Sequence, residues 1–317
     1  VAADTASQRE DQAPAAPPFA AAPLAAAPAA DSPASGAASG AASGAAAGPR
    51  PGDPQAFDWP VSTRLRYHLA GWFRGPIEGS AEVRWLRDGA HYQVHIDTLV
   101  GLPFAPLFTR QLASDGVITL DGLVPRRYEQ TSRLPLQVPR RESMAFADGA
   151  VTLVGGRRAV LPPGTQDTAS QFVQMIYLFR TNPALLAPGR LFTLPLALPH
   201  RVGRWTYEVV GLEPVSTPFG LVEAYHLRPV GVVPTARELT IEMWFAPRLQ
   251  YLPVRFLIHQ DAETFTDLSL RALPDQAAPE APGTRGGGPG AEGPPGPAAP
   301  PLPSGPPQPR DATPPPT

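Results

Sequence analysis

The chain has 317 residues, 44 of them proline and 29 glycine, with 26 basic and 28 acidic side chains and no cysteine. The missing cysteine excludes a disulfide framework, a thiolate metal site and a cysteine nucleophile. The net charge of −2 argues against nucleic-acid binding, which needs an excess of positive charge or a concentrated basic patch. There is no lysine; genomic base bias is the simplest cause, so the arginines are not a sign of bidentate phosphate recognition.

Residues 1–56 are mostly Ala, Pro, Gly and Ser and include "ASGAASGAASG". Such sequence buries too little apolar surface to offset about 1–2 kcal/mol per residue of ordering entropy, so a disordered linker is expected. The same holds for the Pro/Gly-rich tail, residues 274–317. The first residue is valine, which suggests that a signal peptide or membrane anchor precedes the linker and tethers it; a valine written for an alternative start codon is the rival explanation.

Between them, residues 57–273 read as one β-rich domain. In "RLRYHLAGW" the residues Leu65, Tyr67 and Leu69 share one face; in "SAEVRWLR" Ala81, Val83 and Trp85 do; in "HYQVHIDTL" Tyr92, Val94 and Ile96 do. That alternation predicts strands buried on one side, the last two joined through "RDGAH". Further hairpins are predicted in "ASDGVITLDGLVPRRYEQ", in "ESMAFADGAVTLV" around Asp148-Gly149, and on either side of "TPFG". About a dozen short, evenly spaced strands imply an all-β, mainly antiparallel fold, a strongly curved or barrel-like sheet.

One stretch breaks the pattern. "QDTASQFVQMIYLFRTNP" has Asp167 as N-cap, apolar residues around its whole circumference and a stop at Asn182-Pro183. It predicts one short buried helix over Asp167–Arg180, too short to span a bilayer, lying across the open side of the sheet.

The last hairpin, "ELTIEMWFAPRLQYLPVRFLI", has a predicted loop over Pro247–Gln250. The resulting register sets Phe245 opposite Leu252, Met243 opposite Val254 and Ile241 opposite Phe256 on the core face. On the other face it sets Trp244 opposite Pro253, Glu242 opposite Arg255 and Glu238 opposite His259. A locked hairpin explains these residues. A binding role follows only where this face lines a cavity; the candidate ligand-binding residues are then Trp244, Tyr251, Arg255 and Glu242, with Phe172 and Ile176 of the helix.

Other chemistry is thin. His91 and His95 share a strand face about 13 Å apart, too far to chelate one ion alone, and His68 sits on a neighbouring strand. No HExxH motif, nucleophile elbow or phosphate-binding glycine loop is present. No metal or cofactor is expected. A hydrolase would rest on Glu238, Glu242, Asp261 or Asp267 working in pairs, but carboxylates are common on an exposed sheet face.

The series "GLVPRRYEQ", "QDTASQFVQMIYLF", "YEVVGLEPVSTPFGLVEAYHLR" and "EMWFAPRLQYLPVRF" resembles a bacterial family numbered 3108 among the domains of unknown function. The resemblance implies a periplasmic or membrane-anchored β-rich domain with no assigned activity, so no catalytic residue transfers. The ending is also similar to the edge hairpin of periplasmic lipoprotein carriers, whose half-barrel cups acyl chains under a helical lid. Together these predict a non-enzymatic envelope domain that binds a lipid, a cell-wall ligand or a protein partner in its concave face. The alternative is a structural or interaction module tethered by its tails.

Overall fold

A computed structural model of the chain describes residues 60–231, 239–261 and 263–277. The linker 1–56 and nearly all of the 274–317 tail lie outside them, as does Glu238. The first meander comprises β1 (Ser62–Trp72), β2 (Pro76–Asp88), β3 (His91–Leu102), β4 (Ala105–Thr119), β5 (Gly122–Arg133), β6 (Arg140–Ala147), β7 (Ala150–Thr152) and β8 (Arg158–Val160). After the helix α1 (Ser170–Thr181) come β9 (Leu191–Leu198), β10 (Arg201–Thr217), β11 (Gly220–Pro229), β12 (Thr240–Ala246), β13 (Leu252–His259), β14 (Phe265–Leu270) and β15 (Asp275–Ala277).

Neighbours run β8-β7-β6-β5-β4-β3-β2-β1-β14-β13-β12-β11-β10-β9 in one antiparallel sheet, with β15 added on β1. Two meanders are thus joined where β1 pairs β14, Trp72 facing Phe265. The sheet is curved and not closed by a strand ladder. Its two ends are bridged instead by the segment after β7: Gln166 makes a parallel bridge with Leu196, and Val154 N–H donates to Pro199 O at 2.9 Å.

Alternation produces the strands as expected. Leu65, Tyr67, Leu69, Ala81, Val83, Trp85, Tyr92, Val94 and Ile96 are all buried, because each apolar set occupies one side of the pleat. Asp148 and Gly149 both have positive φ, 52° and 67°, the requirement of a two-residue hairpin turn whose twist matches its strands.

α1 fills one end of the barrel-like sheet. Phe172 meets Phe256 edge-on at 5.0 Å, and Phe179 meets Phe245 at 5.0 Å and Phe192 at 5.6 Å. The Gln174 carboxamide accepts from Leu123 N–H at 2.7 Å and donates to Asp121 O at 2.9 Å, gripping the β4–β5 turn. The helix starts later than expected. Asp167 stands outside it, its Oδ1 accepting the N–H groups of Ala169 and Ser170, both at 2.8 Å.

Two further expectations are corrected. The β15 strand lies beyond the expected domain end at Leu273. The last hairpin has a different register: Ala246 faces Leu252, Phe245 faces Pro253, Trp244 faces Arg255, Met243 faces Phe256, Ile241 faces Ile258 and Glu242 faces Leu257. A 310 turn over Pro247–Leu249 is followed by Gln250 and Tyr251 in left-handed backbone, φ 58° and 59°, so the loop is one residue longer. A bulge at Val254 then shifts the register again. It falls beside Pro253, which has no N–H to give to a ladder.

Candidate functional site

The sheet places chemistry on both its faces. Outside, three neighbouring strands bring together Glu213 of β10, His226 of β11 and Glu242 of β12. His226 Nε2 lies 2.6 Å from Glu242 Oε2, and its Nδ1 lies 3.2 Å from Glu213 Oε1. The imidazole stacks on Trp244, whose indole N–H donates to Glu213 Oε2 at 3.1 Å. On the far side of the indole sits the Arg255 guanidinium, 4.7 Å from the ring centre, which Asp267 of β14 clamps at 2.6 and 3.0 Å.

This arrangement sets the protonation states. Burial depresses the pKa of His226, but its hydrogen bonds to Glu242 and Glu213 outweigh that and hold it above the ordinary value. The hydrogen bond from His226 keeps the Glu242 carboxyl below its ordinary range against the cost of burial. Burial pushes Glu213 up, yet the donors on Trp244 and His226 bring it below the ordinary value too. An imidazolium held between two carboxylates uses both N–H groups and leaves neither nitrogen as a base.

Inside, the barrel core is divided. The main apolar cluster includes Tyr67, Ala81, Val83, Ile96, Ile241 and Phe256, while Leu69, Ile77, Val100 and Phe108 form a second, smaller one with Phe73 and Leu134. Between them lies an apolar chamber of about 120 Å³, bounded by Leu69, Val83, Leu112, Phe172, Phe256 and Leu268. Phe172 of α1 borders it on one side and Leu69 of the second cluster on another. Arg110 of β4 is the one charged side chain among its described lining residues.

Arg110 belongs to a buried polar strip. Its Nη2 donates to Gln130 Oε1 at 2.8 Å, which also receives the Tyr128 hydroxyl at 2.8 Å, and Thr168 Oγ1 donates to that hydroxyl at 2.6 Å. Gln130 in turn donates to Glu142 directly across on β6, and Glu142 is held by Arg140 and His200. A second buried group, Asp167, accepts the Ser114 hydroxyl at 2.5 Å, and Tyr92 lies 3.2 Å from Ser114. Burial raises the Asp167 pKa to about 6, although its hydrogen bonds oppose the shift.

The six residues singled out in the sequence fall in different places. Phe172 lines the chamber; Ile176 is buried in the main cluster beyond it. Trp244, Glu242 and Arg255 lie together on the outer face, and both ring faces of the indole are occupied, leaving it 5% exposed. Tyr251 sits in the β12–β13 turn beside Gln250, which accepts from Arg180 of α1 at 3.0 Å. The expected pair Glu242–Arg255 does not form: Glu242 turns to His226 and Arg255 to Asp267. Asp261 is spent on its own turn, accepting from Glu263 and Thr264 N–H.

Arg110 was missed, though "FTRQLAS" carries its signal: an arginine at the position between Phe108 and Leu112 on the inward face. Among the described residues no group of three or more His, Cys, Asp or Glu side chains converges in a way that holds a metal. No described helix is long and apolar enough to cross a membrane.

A crystal structure described as a β-barrel-like protein of domain of unknown function DUF1849 from Brucella abortus is similar over 68% of this chain and 98% of that one, with 13% identity and a TM-score of 0.45. No curated protein matches the chain. The family profile described as "Protein of unknown function (DUF3108)" matches residues 67–266, from the middle of β1 to the start of β14 and through both regions described above, and the chain belongs to that family.

Proposed function

We propose that the domain is a binding protein of the cell envelope, without enzymatic activity, that holds an apolar chain in the chamber between α1 and the second core cluster. The chamber itself carries the proposal: it divides an otherwise continuous core and is walled by Leu69, Val83, Ile96, Leu112, Phe172 and Phe256. Its size limits the ligand. An apolar cavity of roughly 150 Å³ takes a benzene-sized group, whereas drug-sized ligands need roughly 300–1,000 Å³. At about 120 Å³ the chamber suits the end of an acyl chain, and a longer one would require Phe172, itself only half-buried, to swing aside.

The non-catalytic part of the proposal is supported by how the ionisable clusters are used. His226 has both nitrogens occupied, Asp167 is locked against Ser114 and the start of α1, and Glu142 is met by Gln130, Arg140 and His200. A long Ala/Pro-rich segment before the domain suits a tether in the envelope. The test is mass spectrometry of gently purified protein together with titration of a fluorescent fatty-acid analogue. Co-purified lipid and saturable binding are expected; absence of both would sink the proposal.

A further inference from the structure

Turns in an unbroken antiparallel meander alternate between the two ends of the sheet. The β1–β2, β3–β4 and β5–β6 connections therefore share one end, and β14 begins there too because Phe265 faces Trp72. This is the end away from the β4–β5 turn that α1 grips. Its loops are unusual. Residues 102–107, "LPFAPL", are all exposed and carry no charge, with Phe104 84% exposed. Residues 134–139, "LPLQVP", carry none either and leave Leu136 and Val138 almost wholly exposed. Trp72 adds a half-exposed indole beside them.

Loops normally keep such side chains out of water, and a contiguous apolar patch on a loop rim marks a contact surface. Basic residues border it: Arg74 in the β1–β2 turn, set over the Phe73 ring, Arg133 just before the second loop, and Arg141 just after it. Arg140 is turned to Glu142 and His200. Among the described residues, the acidic side chains near this end are Glu78 at the start of β2, Glu142, which is held by Arg140 and His200, and Asp261 and Glu263 in the β13–β14 turn, Asp261 being bound to its own backbone.

We infer that this end of the barrel docks on an anionic lipid bilayer, with residues 102–107 and 134–139 set into the boundary between headgroups and chains and Arg74, Arg133 and Arg141 against the lipid phosphates. Apolar tips bordered by arginine combine the two attractions that hold a protein at such a surface. A second copy is the poorer occupant, because a two-fold contact pairs the patch with itself and would gather the arginines of both copies in one interface. The inference stands independently of any ligand in the chamber.

Flotation of the full chain with vesicles tests it. Phosphatidylcholine vesicles containing phosphatidylglycerol are expected to carry the protein, and vesicles of phosphatidylcholine alone to carry it poorly. Phe104→Asp with Leu136→Asp should lower binding at least about tenfold, and Arg133→Gln or Arg141→Gln about fivefold each, with thermal unfolding unchanged because all four side chains are exposed. A Phe104→Trp variant should shift its emission to the blue on vesicle addition. Flotation indifferent to these substitutions would overturn the inference, as would a dimer in the ultracentrifuge that Phe104→Asp dissolves while vesicles capture nothing. Ala81→Leu, which fills the chamber, should leave flotation intact, so failure of the docking and failure of the chamber are told apart.

Discussion

The imidazole of His226 lies on the indole of Trp244 with 4.2 Å between ring centres and 11° between their planes. Two carboxylates hold that ring edge-on and Arg255 covers the other indole face, so one protonated histidine ties β10, β11, β12 and β13 together. Its folded pKa lies above the ordinary 6.5. The stabilisation is therefore fully present below pH 6.5 and is lost as pH rises through the folded value. His226→Gln should accordingly cost more stability at pH 6 than at pH 9, measured by urea unfolding. A difference that does not change with pH would refute the assignment.

Asp167 works in a similar direction for another reason. Its carboxyl is wholly buried and its pKa is raised from 3.8 to about 6, so the folded state prefers the neutral acid. Its contribution is greatest below pH 3.8 and is lost as pH rises through about 6. Asp167→Asn keeps an acceptor for Ala169 and Ser170 and gives Ser114 a donor, without the buried charge. It should raise stability at pH 8 by up to about 3 kcal/mol and leave it nearly unchanged at pH 3.5, as thermal melts would record.

The fold was legible wherever a local pattern carried it. Leu65, Tyr67 and Leu69 announce an inward face, Asp148-Gly149 announces a tight turn, and the apolar circumference of "FVQMIYLF" announces a helix with no solvent side. Register at the last hairpin was not legible, because Gln250 and Tyr251 adopt left-handed backbone that neither residue type signals, and because a bulge leaves no trace in alternation until its partners are known. The outer cluster was half legible. Trp244, Glu242 and Arg255 stood out, but His226 and Glu213 reach them only through pairing of β10 and β11 with β12. Inside, Arg110 keeps the inward parity of Phe108, yet nothing near it in sequence reveals Gln130 or Glu142.

Gln130 stands between two buried charges, Arg110 and Glu142. Gln130→Leu removes one hydrogen-bond partner from each, while Glu142 keeps Arg140 and His200. Leaving a buried hydrogen-bonding group short of a partner costs about 1–3 kcal/mol, so the variant should lose stability on that scale in urea. Arg110→Met with Gln130→Leu and Glu142→Leu, which deletes the strip as a unit, should recover much of it. An equal loss in both would show that the strip is not the cause.

At the β4–β5 turn, Gly122 has φ +103° and any Cβ there would collide with the Gln174 carboxamide. That amide is fixed by Leu123 N–H and Asp121 O, so it cannot retreat without freeing α1. Gly122→Ala should therefore cost about 1–3 kcal/mol from backbone strain and more from the displaced clamp. Gly149→Ala is the control, with φ +67° and open space around the site, where about 1–2 kcal/mol is expected. Equal losses at the two positions would mean that Gln174 does not anchor the helix.

Ala81 borders the chamber and is buried on β2, facing Thr98 of β3. Ala81→Leu adds three carbons to a space of about 120 Å³, and two opposing effects decide the outcome. Burial adds about 0.8 kcal/mol per methylene, while overpacking costs about 1–3 kcal/mol. Because the chamber has room, burial should prevail and the variant should melt slightly higher than the parent. Binding of a fatty-acid analogue should fall at the same time, since the same volume cannot hold both. A variant that is more stable and still binds the analogue would place the ligand elsewhere. A variant that is less stable would mean that the walls around Leu69, Val83 and Phe172 leave no usable space.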